Sequence, residues 1–437
     1  MNNGLSIWEA KMFRKLGVWV VLAGTLAGSV AVAQVDDIAE IRKMMEQQYE
    51  QMRLMQTKLI ELEAAQKQQG TAVQQLQDSG VTMTMPETLA WLEKVKFYGD
   101  FRYRYEYRDA DWKSGSSDRH RIRARVGLQY DINDEFMFDF RIATAEFFDE
   151  DDDDGRTIGG DYVSGNKTLG DYWASDNGWI DRAYVAYTPN WADGVTALFG
   201  KMSNPFYKVG KNQLVWDGDL NPEGIALQYN RGNLFVNSMF GMVQENGSDS
   251  DKEMLGIQAG LVHAFENGNK LTYGASYYDY LNVKGEEAIV DDAFAGNTST
   301  IDDRYAYDYN LVEIFGEYST KVRNLPVSVY GNYVMNTASG VEEDTGWLVG
   351  TKLGKAQDPG SWEFNYDYRD IEADAVFGAF TDSDFADGGT NARGHVFGLG
   401  YALAKNTNIA ATYFVNDNLS EEQDGYERLQ LDLKVKF

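Results

Sequence analysis

Apolar and polar side chains alternate with a period of two residues along most of the chain, from Lys96 to its end. The terminal segment shows this pattern most clearly. Its apolar residues are Leu429, Leu431, Leu433, Val435 and Phe437, and between them stand Gln430, Asp432, Lys434 and Lys436. Such alternation gives a β-strand one apolar and one polar face. Alternating runs recur to the end of the chain, separated by tight turns and by long acidic segments at 148–177, 204–222, 282–308 and 371–392. The sequence therefore predicts an all-β, antiparallel protein.

The chemistry of the two faces decides what surrounds the sheet. In a soluble sandwich the polar face meets water and usually carries Thr, Ser and Lys. Here aromatic rings crowd the apolar faces, and Arg and Asp occupy the middle of the polar faces. A transmembrane β-barrel accounts for both, because lipid lies outside its wall and water inside. Closure is required, since an open edge in hydrocarbon leaves backbone groups unpaired.

We therefore expect a transmembrane antiparallel β-barrel over residues 90–437. The number of alternating runs indicates about sixteen strands, and a barrel of that size encloses an aqueous lumen that side chains cannot fill. A soluble secreted β-protein is the alternative that the alternation alone leaves open.

The composition excludes several classes of function. The chain has 68 Asp and Glu against 40 Lys and Arg, a net charge of −28, which disfavours a general nucleic-acid binder. It has no cysteine and only three scattered histidines, so no metal site, cofactor or cysteine nucleophile is expected. No Ser–His pairing can be argued from the spacing, and we do not expect an enzyme.

The first 85 residues differ from the rest. Arg14 and Lys15 precede an apolar stretch that ends in Ala31-Val32-Ala33, so residues 1–33 are predicted to be a cleavable signal peptide. Within 34–85, apolar residues recur at alternating steps of three and four from Ile38 onward, a 3.5-residue period that predicts an α-helical coiled coil. We expect an exported protein that self-associates through a periplasmic coiled coil, rather than a helix that packs on its own domain.

Five segments resemble a known family. They are GDFRYRYEY at 99–107, RHRIRARVGLQYDIND at 119–134, WIDRAYVAY at 179–187, LFGKMSNPF at 198–206 and LVWDGDLNPEGIALQY at 214–229. Together with the terminal strand they resemble the bacterial outer-membrane putative porin family. The resemblance implies a trimeric, water-filled channel for passive diffusion of small hydrophilic solutes or ions. It also implies that Phe437 ends a strand recognised by the barrel-assembly machinery. The alternative is a structural anchor whose coiled coil reaches toward peptidoglycan.

Arginines on the polar faces of three successive strands form the candidate selectivity site. They are Arg102, Arg104, Arg121, Arg123, Arg125 and Arg141. Cross-strand neighbours lie ~5 Å apart, so these guanidinium groups would crowd one patch of wall. A cation on the lipid face costs ~2–4 kcal/mol at mid-depth, which directs them inward. They would then attract anions. The alternative is a wall network in which Asp100, Glu106 and Asp139 neutralise them.

Acidic loop segments are the second candidate. Glu150, Asp151, Asp152, Asp153 and Asp154 are expected either to remain in solvent, bridged to lipopolysaccharide by divalent cations, or to fold inward as a constriction. Their spacing to Asp161 matches a calcium loop only loosely. The stretches 204–206 and 216–219 belong to another candidate inward loop. The expected partners are further copies of the chain, outer-membrane lipid and lipopolysaccharide, and the assembly machinery.

Overall fold

The computed structural model describes residues 87–146, 159–247, 250–289, 294–420 and 424–437. The predicted signal peptide (1–33), the predicted coiled coil (34–85) and the acidic run Glu150–Asp154 lie outside the described residues. No helix of the described ranges is long and apolar enough to cross a membrane.

One sheet contains all the strands of the described residues. They are β1 (Val95–Ala110), β2 (Ser117–Asp131), β3 (Phe136–Ala143), β4 (Lys167–Thr168), β5 (Trp179–Tyr187), β6 (Val195–Lys201), β7 (Glu223–Arg231), β8 (Leu234–Gln244), β9 (Lys252–Ala264), β10 (Lys270–Leu281), β11 (Tyr309–Val322), β12 (Leu325–Asn336), β13 (Thr345–Gly354), β14 (Trp362–Ile371), β15 (Ala392–Ala404), β16 (Thr407–Asn418) and β17 (Asp424–Lys436). Short 3₁₀ segments occupy Glu87–Lys94, Val209–Lys211, Gly378–Phe380 and Phe385–Asp387.

The sheet closes on itself. Strand β1 pairs antiparallel with β2 on one side and with β17 on the other. Strand β3 pairs with β5, and the two-residue strand β4 only touches the start of β2. Sixteen of the seventeen strands therefore form the barrel wall, which confirms the predicted closed antiparallel barrel and its size.

The two rims of the barrel differ as predicted. Because every wall strand is antiparallel to its neighbours, connections fall alternately on opposite rims. One rim carries short turns such as 232–233, 323–324 and 405–406, and the other carries the loops 144–178, 202–222, 282–308 and 372–391. This asymmetry is typical of outer-membrane barrels, in which long loops face outward.

The outer surface of the wall is apolar and its inner surface largely polar. On β17, Leu431 is 44% exposed, whereas its neighbour Gln430 is 2% exposed. On β9, Ile257 is 53% exposed and Gln258 is fully buried. This arrangement reverses that of a soluble protein, in which exposed strand positions are polar. It confirms that the apolar face of each strand is the one that meets lipid.

Part of the lumen is filled, so it is narrower than the strand count predicts. Inward positions of β8, β9 and β11, including Phe235, Met254 and Phe315, are apolar and belong to a buried hydrophobic cluster. The loop 202–222 packs on them, and the ring of Trp216 lies 5.8 Å from that of Phe206 and 5.2 Å from that of Tyr278. Inward apolar residues interrupt the polar face of these strands, a feature that simple alternation does not predict.

Candidate functional site

The arginines predicted from sequence meet on the inner wall of β1, β2 and β3. Arg102 lies directly opposite Arg123 in the β1–β2 ladder, and Arg104 lies opposite Arg121. Asp100 faces Arg125 in the same ladder. Like charges directly opposite each other destabilise a sheet. These opposed arginines are therefore stable only if carboxylates or solvent balance their positive charge.

One carboxylate for the β2 arginines comes from the wall and a second comes from an inward loop. Arg125 Nε donates to Asp100 Oδ2 at 2.7 Å, and Arg123 Nη2 donates to Asp100 Oδ1 at 3.0 Å. From the loop 202–222, Asp219 accepts from Arg123 Nη1 at 2.8 Å and from Arg125 Nη1 at 3.1 Å. Two guanidinium groups thus share two carboxylates.

A second network joins β1 to β17 and to the loop 372–391. Arg104 forms a bidentate pair with Asp432, at 2.7 and 3.0 Å, and its Nη1 lies 3.4 Å from Asp384 Oδ2. Arg428 Nη2 lies 2.5 Å from both Glu106 and Asp384. Each of these arginines contacts more than one carboxylate, so this part of the wall is neutralised.

The predicted wall network is therefore present, with one correction. Asp100 and Glu106 pair with arginines, but Asp139 does not. Asp139 accepts hydrogen bonds from Tyr98 Oη at 2.8 Å and from Gln129 Nε2 at 3.0 Å. Arg141, which lies opposite Gly127, pairs with Asp181 instead. The register places Asp139 opposite Gln129 on β2 and Tyr184 on β5, so its cross-strand neighbours are not arginines.

Four inward cations that border one cavity have no carboxylate within 4.0 Å in the part of the chain that the structure describes. They are Arg102, Arg182, Lys211 and Lys352. Arg102 donates only to the amide oxygen of Asn166, and Arg182 Nε donates to Asn221 Oδ1 at 2.8 Å. An amide oxygen is neutral, so these groups keep their full positive charge.

These cations border a cavity of about 450 Å³ inside the barrel. We call it the basic cavity. Nine basic and five acidic side chains line it, although the whole chain carries a net charge of −28. Focusing of the field by the low-dielectric wall makes such a local excess effective over the width of a pore.

A model of the putative porin family matches residues 110–311 and 321–437. The chain belongs to this family. It is an outer-membrane channel for passive diffusion, and the barrel and its lumen are the structure that performs this function. Family and fold indicate a channel rather than an enzyme.

The high-pH structure of Pseudomonas putida OprB shares the fold of this porin. It superposes with a TM-score of 0.53 at 13% identity, covering 82% of this chain and 97% of that one. A mutant of the Rh. blastica porin gives 0.45 at 13% identity, covering 78% and 100% of the two chains. The loop L8 deletion mutant of OmpT from Vibrio cholerae gives 0.43 at 14%, covering 78% and 99%. None of the curated proteins matches the chain.

Two inward loops carry the acidic side of the porin's basic cavity and hold each other in place. The backbone N–H of Asp217 donates to Phe380 O at 2.7 Å, and Thr381 Oγ1 donates to Leu214 O at 2.9 Å. The stretch 216–219 therefore lies inside the barrel, as its sequence predicted, and is anchored by the loop 372–391.

The loop carboxylates differ in pKa. Burial alone would raise the pKa of Asp219, but Arg123, Arg102 and Arg125 hold it well below its usual range. Asp219 is therefore ionised at neutral pH. Burial, reinforced by the nearby carboxylates of Asp382 and Asp219, raises the pKa of Asp217 well above its usual range. Asp217 is therefore protonated more readily than Asp219.

The histidines do not contribute to this site. His120 Nδ1 lies 2.7 Å from Tyr103 Oη, and His395 Nδ1 lies 3.0 Å from Tyr366 Oη, among outward aromatic rings. Within the described ranges, no group of three or more His, Cys, Asp or Glu residues is placed to hold a metal ion.

Sequence reasoning missed the residues that reach the cavity from distant segments. These are Arg182, Lys211, Lys352, Arg369, Asp382 and Asp384. The Asp-rich stretch TDSDFAD at 381–387 carries a signal, because a loop of alternating acids opposite an arginine-rich wall is a plausible partner for it.

Proposed function

We propose that this channel conducts small hydrophilic anions in preference to cations, and that the basic cavity selects them. The observation that carries the proposal is the group of inward cations without a carboxylate partner, of which Arg102 is the most enclosed. A permeating anion near such groups is stabilised and a cation is repelled, since both ions pass within a few ångströms of uncompensated charge. The paired arginines, such as Arg104 and Arg123, stiffen the wall instead.

The positions of three cavities support a path along β3 and β5. On β5, Asp181 lines a cavity of about 630 Å³ near the long-loop rim, Arg182 lines the basic cavity, and Tyr184 lines a cavity of about 590 Å³ near the short-turn rim. On β3, the same three cavities are lined, in that order, by Ala143, Arg141 and Met137. The path would run beside this wall, because the loop 202–222 and the apolar residues of β8, β9 and β11 fill another part of the lumen.

Reversal potentials in planar bilayers test the proposal. Under a tenfold KCl gradient, purified protein should give discrete conductance steps whose reversal potential has the sign of a chloride-preferring pore. A potential of the opposite sign would refute anion selectivity, and a complete lack of steps would refute the channel itself. The tether alternative is not favoured by the family assignment, and a tether would give no steps.

Assembly and targeting complete the proposal. Residues 1–33 would direct export, 34–85 would form a periplasmic coiled coil, and the chain would assemble as a homotrimer in contact with lipid and lipopolysaccharide. The wall supports self-association, because the strands β3 and β6 on one side of the barrel have only 8 and 7 residues. A strand needs about 9–11 residues to span a bilayer, so this side benefits from a protein neighbour.

Light scattering of the detergent-purified protein tests the assembly. The full chain should have the mass of a trimer, and deletion of 34–85 should weaken it while single-channel conductance is retained. A monomeric full chain would contradict the proposal.

A further inference from the structure

A second large cavity, distinct in chemistry from the basic cavity, lies near the long-loop rim. It has a volume of about 630 Å³. We call it the aromatic chamber. Its aromatic residues are Tyr162, Trp179, Trp216 and Phe380. Aliphatic groups including Met239, Leu220 and Ile289 complete its apolar lining. Arg125 and Asp219 line both cavities, so the two spaces meet at this ion pair.

The aromatic surface of the chamber is held in place by its surroundings. The ring of Phe380 lies 6.4 Å from that of Trp216, nearly parallel to it, and 6.1 Å from that of Tyr162, edge to face. A Cβ atom on Gly160 would lie 2.5 Å from Trp179 Cδ1, so only glycine leaves room for the indole there. Rings fixed in this way bind a ligand without a further loss of conformational freedom.

The basic side chains of the chamber are already paired. Lys201 lies 2.7 Å from Glu223, and Arg125 is shared between Asp100 and Asp219. A hydrated inorganic anion would therefore gain little in the chamber, while apolar surface facing the lumen favours a ligand with an apolar body. Arg182, a cation without a carboxylate partner, lines the adjoining basic cavity. Its hydrogen-bond partner Asn221 lines the chamber.

We propose that the aromatic chamber binds the ring or hydrocarbon body of small organic carboxylates, whose carboxylate group then enters the basic cavity. The inference rests on the proposed anion pathway and names its substrate class. The body packs beside Trp179 and Tyr162, and the carboxylate points toward Arg182 and Arg102. A ligand that enters from the long-loop rim would meet the aromatic chamber first and the basic cavity second. Its apolar body and its carboxylate would then each contact a surface of matching chemistry.

Block of chloride current by organic solutes tests the proposal. Benzoate, acetate and benzyl alcohol are added in turn to a bilayer that contains the wild-type channel. Benzoate should block at a concentration at least about tenfold lower than acetate, because acetate lacks the apolar body. Benzyl alcohol, which has the ring without the charge, should block more weakly than benzoate.

Substitutions locate the site. Trp179→Ala should weaken benzoate block about three- to tenfold, the range expected for the loss of one aromatic pair. Trp179→Phe keeps a ring, should stay within about twofold of wild type, and provides a reading if the Ala variant fails to assemble. Trp191→Ala is the matched control, since Trp191 is 81% exposed in the turn after β5 on the opposite rim.

The outcomes separate this inference from the proposed function. Equal block by benzoate and acetate in a channel that still prefers chloride over potassium would overturn the chamber and leave anion selectivity intact. Equal block by benzyl alcohol and benzoate would show a site for neutral aromatic solutes and overturn the carboxylate class. Equal loss of block in Trp179→Ala and Trp191→Ala would also overturn it. A channel without chloride preference would refute the proposed function first.

Discussion

Reversing the charge of Arg102 should weaken anion selectivity more than any change at a paired arginine. Arg102 is 8% exposed, borders the basic cavity, and donates only to the neutral amide of Asn166. A unit charge ~5 Å from a passing ion changes its free energy by about 0.8 kcal/mol in a water-like dielectric. Arg102→Glu changes the wall by two unit charges and acts with opposite sign on anions and cations. After screening at 0.1 M salt, the ratio of anion to cation permeability should fall at least about tenfold.

A variant that removes only one charge tests whether the effect scales with the charge at this position. Arg102→Met keeps an unbranched apolar side chain and removes one charge, so it should produce half the logarithmic change, about threefold. Arg231→Glu is the matched control, because Arg231 lies on β7 at the short-turn rim with 67% of its side chain exposed. The assay is the reversal potential under a tenfold KCl gradient. An unchanged permeability ratio in both Arg102 variants, or an equal change in Arg231→Glu, would refute the reasoning.

Three further predictions follow from the inward loops. Asp219→Asn should raise the chloride preference and lower the thermal midpoint of unfolding in detergent, because Arg123 and Arg125 lose an ionised partner; an unchanged reversal potential would argue against it. Burial raises the pKa of Asp161 to about 6, so this carboxylate loses its negative charge as the pH falls from 7 to 5. The chloride preference should therefore increase over this range, and the increase should be absent in Asp161→Asn. Trp216→Ala removes a ring that is 2% exposed, at a cost of about 3–5 kcal/mol to loop packing, and should increase current noise and mean conductance; a quiet, unchanged channel would contradict the packing role of the loop.

The barrel could be predicted from the sequence because its physical cause is local. Every strand has to present one face to lipid and one to the lumen, so the alternation appears in each segment separately. The register of Arg102 against Arg123 also follows from local information, since a short connection joins β1 to β2. These features depend on neighbours in sequence.

The contents of the lumen could not be predicted in the same way. Arg104 meets Asp432 and Asp384, which lie at the other end of the chain. Such pairs arise only when the barrel closes and the loop 372–391 turns inward, and the sequence alone does not say which wall residues an inward loop will meet. The inward apolar residues Phe235 and Met254 could not be predicted either, because the alternation of the other residues does not show which inward positions will contact a loop.

Chemical access to two adjacent positions on β16 tests the central claim most directly. The chain has no cysteine, so single cysteines can be introduced without background reaction. Thr412 lines the basic cavity, and its neighbour Ala411 pairs with the outward residues Leu399 and Leu431. A water-soluble thiosulfonate reagent should reduce the conductance of the Thr412→Cys channel and leave the Ala411→Cys channel unchanged. Reaction at Ala411→Cys with protection at Thr412→Cys would contradict a wall that is apolar toward lipid and polar toward a water-filled lumen.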